Sequence, residues 1–368
     1  MTRAGRRSVA PLVFLLGCSR GAPSVQGNVP PPSSAAPARA GGAATAEDAS
    51  ATVFDVGGVD ASAGASVEAP DEPAATYETV SRILFADRGA PSSVAACPPS
   101  LPPDARVRCL YDERYRGDPR AASLAHELYV KWNIVAGVEL AHTMNGGYRG
   151  MIRIEPAVPT GENRKHLEWV AAAFADFEQF FAELQRFGAA HGKPKATRKR
   201  FRYRPLTLRF MRSAAPARTP AAYARDWTVA YNFVGTLNVS ADAVRETMFH
   251  EIFHLNDEAR GDWSPGALSD VFDAVVKKCG TSIACLAPYS PNDTIVRGGT
   301  YYSFQPGNGV REYAAELALR YYREQRAALR DSSPKPKPFK CGPAGNARAW
   351  ARMRDDLFDG IDAVPACP

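Results

Sequence analysis

The chain is 368 residues long, 45% hydrophobic, with a formal net charge of +6. That excess is too small to argue for a nucleic-acid partner, and beyond the amino terminus no run is long and apolar enough to be a transmembrane helix. Nearly all Trp, Tyr and Phe lie after about Tyr77, in a stretch whose length suits one large domain or two closely packed lobes.

The first residues carry Arg3, Arg6 and Arg7, followed by a short apolar run from Val9 to Leu16. Such a run cannot cross a bilayer as a stable helix, so residues 1–17 read as a signal peptide. Leu15-Leu16-Gly17-Cys18 resembles the lipobox of bacterial lipoproteins, whose cysteine is lipidated and becomes the first residue after cleavage. The resemblance implies export to the cell envelope and a lipid anchor on Cys18, in the outer membrane. An ordinary signal peptide with an incidental cysteine is the alternative. Residues 18–75 are mostly Ala, Gly, Pro, Ser and Val. Such a composition buries too little apolar surface to offset its ordering entropy, and the segment reads as a flexible tether. The folded part is then 76–368, with an amino-terminal portion 76–190 and a second portion 191–368.

Residues Arg120 to Ile134 have helical spacing, and Val138 to Pro156 alternates around Asn145-Gly146-Gly147 as two strands and a tight turn. A long amphipathic helix is expected from about Asn163 to Ala190, with Phe174, Phe177, Phe181 and Leu184 toward one face. Lys193, Lys195, Arg198, Lys199, Arg200, Arg202 and Arg204 then crowd one segment. It reads as a solvated loop, with contact to an anionic envelope surface as the alternative. Leu206 to Met211 is a short strand; Thr228 to Val239 is a longer one that Gly235 interrupts, suggesting a bulge or an edge. Ser240 as N-cap and Asp242 in the first turn predict a helix from Ala241 to about Glu258, stopping at Gly261. A last helix is expected from about Asn308 to Arg330, and this order of elements argues for an α+β fold.

Apart from Cys18 there are six cysteines, an even number that in an exported chain suggests three disulfides. Short separations favour Cys97 with Cys109, Cys279 with Cys285, and Cys341 with Cys367. None belongs to a Cys-x-x-Cys pair, which argues against a cysteine zinc cluster.

His250-Glu251-Ile252-Phe253-His254 falls in the middle of the helix expected at 241–258. Four residues are about one helical turn, so both imidazoles project from one face and can share a tetrahedral zinc ion. Glu251 is turned away by about 100°, beside a water on the metal rather than on the metal itself, which is the place of a general base. His126-Glu127 lacks the second histidine, Val130 standing in its place, and His126 reads as structural.

A catalytic zinc usually takes three protein ligands and leaves one position for water. Asp257 and Arg260 stand where the metzincin pattern needs Gly and His, so that class is excluded. Glu312 in Glu312-Tyr313-Ala314-Ala315-Glu316 is the better third ligand; Glu316 shares its face and can hydrogen-bond a ligand histidine. Asp293 and Glu258 are weaker alternatives. With these two motifs the chain resembles the gluzincin metallopeptidases, and Glu-Tyr-Ala-Ala-Glu is similar to the Glu-Phe-Phe-Ala-Glu of their lethal factor-like branch. The resemblance covers mainly residues 228–325. It implies a zincin-like domain with a central His-Glu-x-x-His helix, a mixed sheet and a helical carboxy-terminal part. It also implies zinc as cofactor, a polypeptide substrate, Glu312 as third ligand and Glu316 in support. An edge strand before the central helix, here Thr228 to Val239, would align the substrate. A tyrosine just before the glutamate helix would bind the oxyanion, but position 305 is Gln and the nearest tyrosines are Tyr301 and Tyr302. Tyr302 is the candidate, a core tyrosine the competing reading. The rival for the whole chain is a non-enzymatic envelope lipoprotein that keeps such a fold as a binding or assembly module.

Overall fold

In the computed structural model, residues 74–88, 96–145, 150–193, 201–214, 220–296, 299–330 and 337–368 are described. All of them fall in the unit Gly57–Pro368; the unit Met1–Val56, and with it the signal peptide and Cys18, lies outside the described residues, as does nearly all of the tether. Three helices come first: α1 (Tyr77–Leu84), α2 (Pro103–Arg114) and α3 (Pro119–Trp132). Asp118 caps α3 by accepting from the Ala121 N–H at 3.1 Å, and Asn133, with a left-handed φ of 51°, ends it.

The chain then enters β1 (Ile134–Val138), which is buried throughout and shows no alternation. This corrects the expected hairpin: Val138 belongs to a buried strand parallel to its neighbour, and such strands read as continuous apolar runs. Gly137 is required here, because a Cβ would meet the Ile83 carbonyl oxygen at 2.4 Å, where α1 lies against β1. The hairpin itself is β2 (His142–Asn145) with β3 (Met151–Pro156); residues 146–149, which would form its turn, lie outside the described residues.

After the 3₁₀ turn Gly161–Arg164 comes α4 (Lys165–Ala190), the long helix expected. Next are β4 (Leu206–Ser213), β5 (Ala222–Arg225) and β6 (Thr228–Asn232). β4 is central to a mixed six-stranded sheet. One side pairs with β1 in parallel and, farther along, with β3 antiparallel; the other pairs with β6 in parallel. β5 lies outermost, antiparallel to β6. The expected edge strand 228–239 is therefore internal and stops at Asn232, and the edge on that side of the sheet is β5. The strand stops because Asn238 Nδ2 donates to the carbonyls of Ala221 (2.8 Å) and Asn232 (2.9 Å), folding 233–238 back on β5. Gly235 fits that turn, where a Cβ would meet Ala221 Cα at 2.6 Å.

The remaining elements are α5 (Ala241–Glu258), α6 (Trp263–Cys279), α7 (Ile283–Leu286), the small hairpin β7 (Ile295–Val296) with β8 (Thr300–Tyr301), α8 (Gly309–Arg330) and α9 (Ala344–Leu357). Helices α4, α5 and α8 meet in an aromatic knot: Phe249 stacks on Tyr322 at 4.3 Å, and Phe177 and Phe180 meet the Tyr322 ring edge-on at 5.8 and 4.9 Å. Truncating a buried phenylalanine in such a place costs about 3–5 kcal/mol, so the residue beside His250 is held firmly.

The three disulfides join Cys97–Cys109, Cys279–Cys285 and Cys341–Cys367, the expected pairs and a mark of an oxidising compartment. No described helix is long and apolar enough to cross a membrane. In the basic run, 194–200 lies outside the described residues. Arg202 lies over the Trp227 ring at 3.7 Å and Arg204 donates to the Lys131 carbonyl at 3.3 Å, so these two cations serve packing. His126 meets Tyr111 edge-on at 5.4 Å, a structural contact as expected.

Candidate metal centre

Ser240 begins α5 by accepting from the Ala243 N–H at 3.2 Å, with Asp242 favourable to the dipole in the first turn. At the far end Gly261 turns the chain with a φ of 66°. Buried Asp257 there accepts from the N–H and hydroxyl of Ser264 at 2.6 and 2.7 Å, joining α5 to α6. Between these ends the helix is buried on nearly every side, so its polar residues need partners inside the protein.

His250 and His254 find them in each other and in α8. Their Nε2 atoms are 3.2 Å apart, and Glu312 Oε2 lies 3.1 Å from the first and 3.6 Å from the second. On its other side, His250 Nδ1 faces Glu316 Oε1 at 3.1 Å. An Nδ1–H donated to Glu316 leaves Nε2 a lone pair, so two imidazole lone pairs and a carboxylate oxygen converge on one point. A metal ion or a proton between these atoms satisfies such a cluster. A tetrahedral zinc with bonds of about 2.0–2.2 Å has donor–donor edges of about 3.3–3.6 Å, close to the spacings here. His250, His254 and Glu312 thus form a group that could hold a metal ion.

Glu312 lies in the first turn of α8, where the dipole favours an ionised carboxylate. Burial pushes its pKa up, but the imidazoles of His254 and His250 outweigh it and hold the carboxyl well below the usual range. Burial likewise lowers His250, and Glu312 and Glu316 overcome it to raise the imidazole well above its ordinary value: a shared proton stabilises the cluster when no metal does. Fully buried Ala314 and Ala315 let α8 approach α5 closely.

Glu251 is buried beside this group without belonging to it. Burial raises its carboxyl, and the neighbouring His250 and His254 offset this only in part. Tyr302, in the 3₁₀ turn Tyr302–Phe304 that precedes α8, has its ring 6.2 Å from that of His250. Burial, then the charges of Glu312 and Glu251, hold its hydroxyl well above the ordinary phenol range. Tyr301 is a buried core residue instead.

The alternative ligands are elsewhere. Glu258 is exposed and accepts from the Asp226 N–H at 3.0 Å, while Asp293 is exposed and outside the metal-holding group. Sequence reasoning missed Asn292, whose Nδ2 donates to Glu316 Oε2 at 2.7 Å. In the sequence it is one more turn-forming residue of a loop.

Comparison of the chain with protein-family models, with curated proteins and with solved structures returns no match. The described residues define an α+β protein whose His/His/Glu group is compatible with a zincin-like site.

Proposed function

We propose that the chain is a zinc-dependent hydrolase that cleaves polypeptides, held in the bacterial cell envelope by a lipid on Cys18. The observation that carries this reading is Glu251, a buried acid beside a three-residue metal-holding group to which it does not belong. A structural zinc would take a fourth protein ligand and need no acid at its side.

His250, His254 and Glu312 would hold the ion, which when bound supplies Lewis acidity to a water and to a substrate carbonyl. Glu251 takes a proton from the attacking water and returns it to the leaving amine. The Tyr302 hydroxyl donates a hydrogen bond to the carbonyl oxygen as it gains charge. Glu316 holds the His250 tautomer. The outer edge of β5, which packs along α5, is the place for an extended substrate backbone.

Metal analysis of the purified protein, followed by a peptide-library digest with and without chelator, tests the reading. Stoichiometric zinc and chelator-sensitive cleavage are expected. Zinc without cleavage across a broad library favours the non-enzymatic binding module, and a chain that takes up no zinc removes the centre altogether.

A further inference from the structure

We infer that Asn292 is a positioning residue of the metal centre, holding the Glu316 carboxylate in the plane from which it orients His250; the inference rests on the zinc reading above. Asn292 is 4% exposed, and its amide is used on both sides. Nδ2 donates to Glu316 Oε2 at 2.7 Å and to the Glu316 carbonyl at 3.0 Å, while Oδ1 accepts from Arg323 Nη1 at 2.6 Å. Arg323 continues through Nε to Glu246 Oε1 at 2.8 Å, with a second contact through Nη2 to Oε2. Glu246 precedes His250 by one turn of α5. The sequence of bonds from His250 through Glu316, Asn292 and Arg323 to Glu246 thus leaves α5 and returns to it, closing a ring across α5, α8 and the loop before β7.

A glutamate's terminal torsion is broad, so one contact does not fix the plane of its carboxylate. Here Oε1 meets His250 Nδ1 at 3.1 Å and Oε2 is held by Asn292, so two bonds at opposite oxygens fix the plane. That plane sets the direction in which His250 Nδ1–H is accepted, and so the direction of Nε2 toward His254 and Glu312. The same loop holds Tyr302. The Thr294 carbonyl accepts from the Tyr302 N–H at 2.8 Å, and the Ser290 hydroxyl lies 2.7 Å from the Asn292 carbonyl and 3.1 Å from the Ser303 hydroxyl. One segment therefore places both the group that orients a ligand and the candidate oxyanion donor.

The test uses the full chain and zinc itself, with affinity read by competition against a chromogenic chelator. Asn292→Asp keeps the size of the side chain and the acceptor that meets Arg323 but removes the donor toward Glu316. Asn292→Ala is measured beside it, so that failure of one variant to fold leaves the other. Zinc affinity is expected to fall about 10-fold or more. The visible spectrum of the cobalt(II)-loaded protein should shift as well, since it reports ligand geometry and is insensitive to a loss of stability alone. Asp118→Ala, which removes the cap of α3 and lowers stability without touching the loop or Glu316, should leave both readouts near the parent's. Parent-like affinity and spectrum in a folded Asn292 variant, or an equal loss in Asp118→Ala, overturns the inference and leaves the zinc centre standing. A parent that takes up no zinc fails earlier and removes the centre itself.

Discussion

His250 Nε2 and His254 Nε2 face each other at 3.2 Å, one turn apart on α5, with His250 Nδ1 turned to Glu316 and Glu312 Oε2 within 3.6 Å of both Nε2 atoms. Two lone pairs this close repel unless a cation or a proton lies between them. The helix supplies the spacing, and α8 supplies the third donor from its first turn, where a carboxylate is best kept ionised. The convergence of the three donors is thus built by backbone geometry.

Removing any one of the three donors should therefore sharply lower zinc content. His250→Ala, His254→Ala and Glu312→Ala each remove a bond that the remaining two donors do not replace. Glu316→Ala should weaken binding less, by about 10- to 100-fold, because it orients a ligand without being one. Metal content after dialysis separates the classes. Full zinc in Glu312→Ala, with loss in Asp293→Ala or Glu258→Ala, would move the third ligand elsewhere.

Helix α5 was legible to the residue, since capping, patterning and the metal motif all point the same way there. Glu312 and Glu316 were legible because a carboxylate pair four residues apart is a local signal. What failed was non-local. β1 lacks the alternation that marks a half-buried strand, and the true edge, β5, is only four residues long. Asn292 reaches Glu316 across 24 residues through a loop, a relation that no spacing rule encodes. Tyr302 stands between these cases: its place ahead of α8 was readable, while its approach to His250 depends on the bonds that Thr294 and Asn308 make to its backbone.

Export and anchoring make a separate prediction. Cys18→Ser should release the protein from membranes into the soluble fraction, and unchanged membrane association would remove the lipid anchor from the reading. The six other cysteines should resist alkylation until a reductant is added, as the three bridges require. Each bridge is expected to contribute about 2–4 kcal/mol, so reduction should lower the unfolding midpoint clearly.

His166 predicts a pH dependence of stability. It is 2% exposed, shares a hydrogen bond of 2.8 Å between Nδ1 and the Tyr231 hydroxyl, and stacks on Phe233. Burial, reinforced by the charge of Lys165, lowers its pKa to about 4. The unfolded chain titrates this imidazole near 6.5, so between roughly pH 6.5 and 4 the unfolded state carries a proton that the folded state lacks. Stability from this group is complete above 6.5 and is lost as the pH falls, at about 1.4 kcal/mol per pH unit within that window. Urea unfolding at pH 7 and pH 5 should show a steeper loss in the parent than in His166→Gln. Parallel loss in the two proteins would contradict a neutral, buried His166.

The final prediction separates an enzyme from a binding module, and it turns on Glu251. Its carboxyl is buried and raised, yet it stands outside the group of donors, so its chemistry can be removed without dismantling the site. Glu251→Gln keeps the volume and the hydrogen-bonding reach of the side chain but cannot accept a proton at neutral pH. Zinc content and the unfolding midpoint should stay close to the parent's, because no metal–donor bond is lost and a buried charge is removed. Peptide hydrolysis should fall by about 10²- to 10⁴-fold, the contribution usual for a positioned general base. Loss of zinc in Glu251→Gln would make Glu251 a ligand rather than a base. Unimpaired hydrolysis in that variant would leave the metal centre in place and take the proposed mechanism away from it.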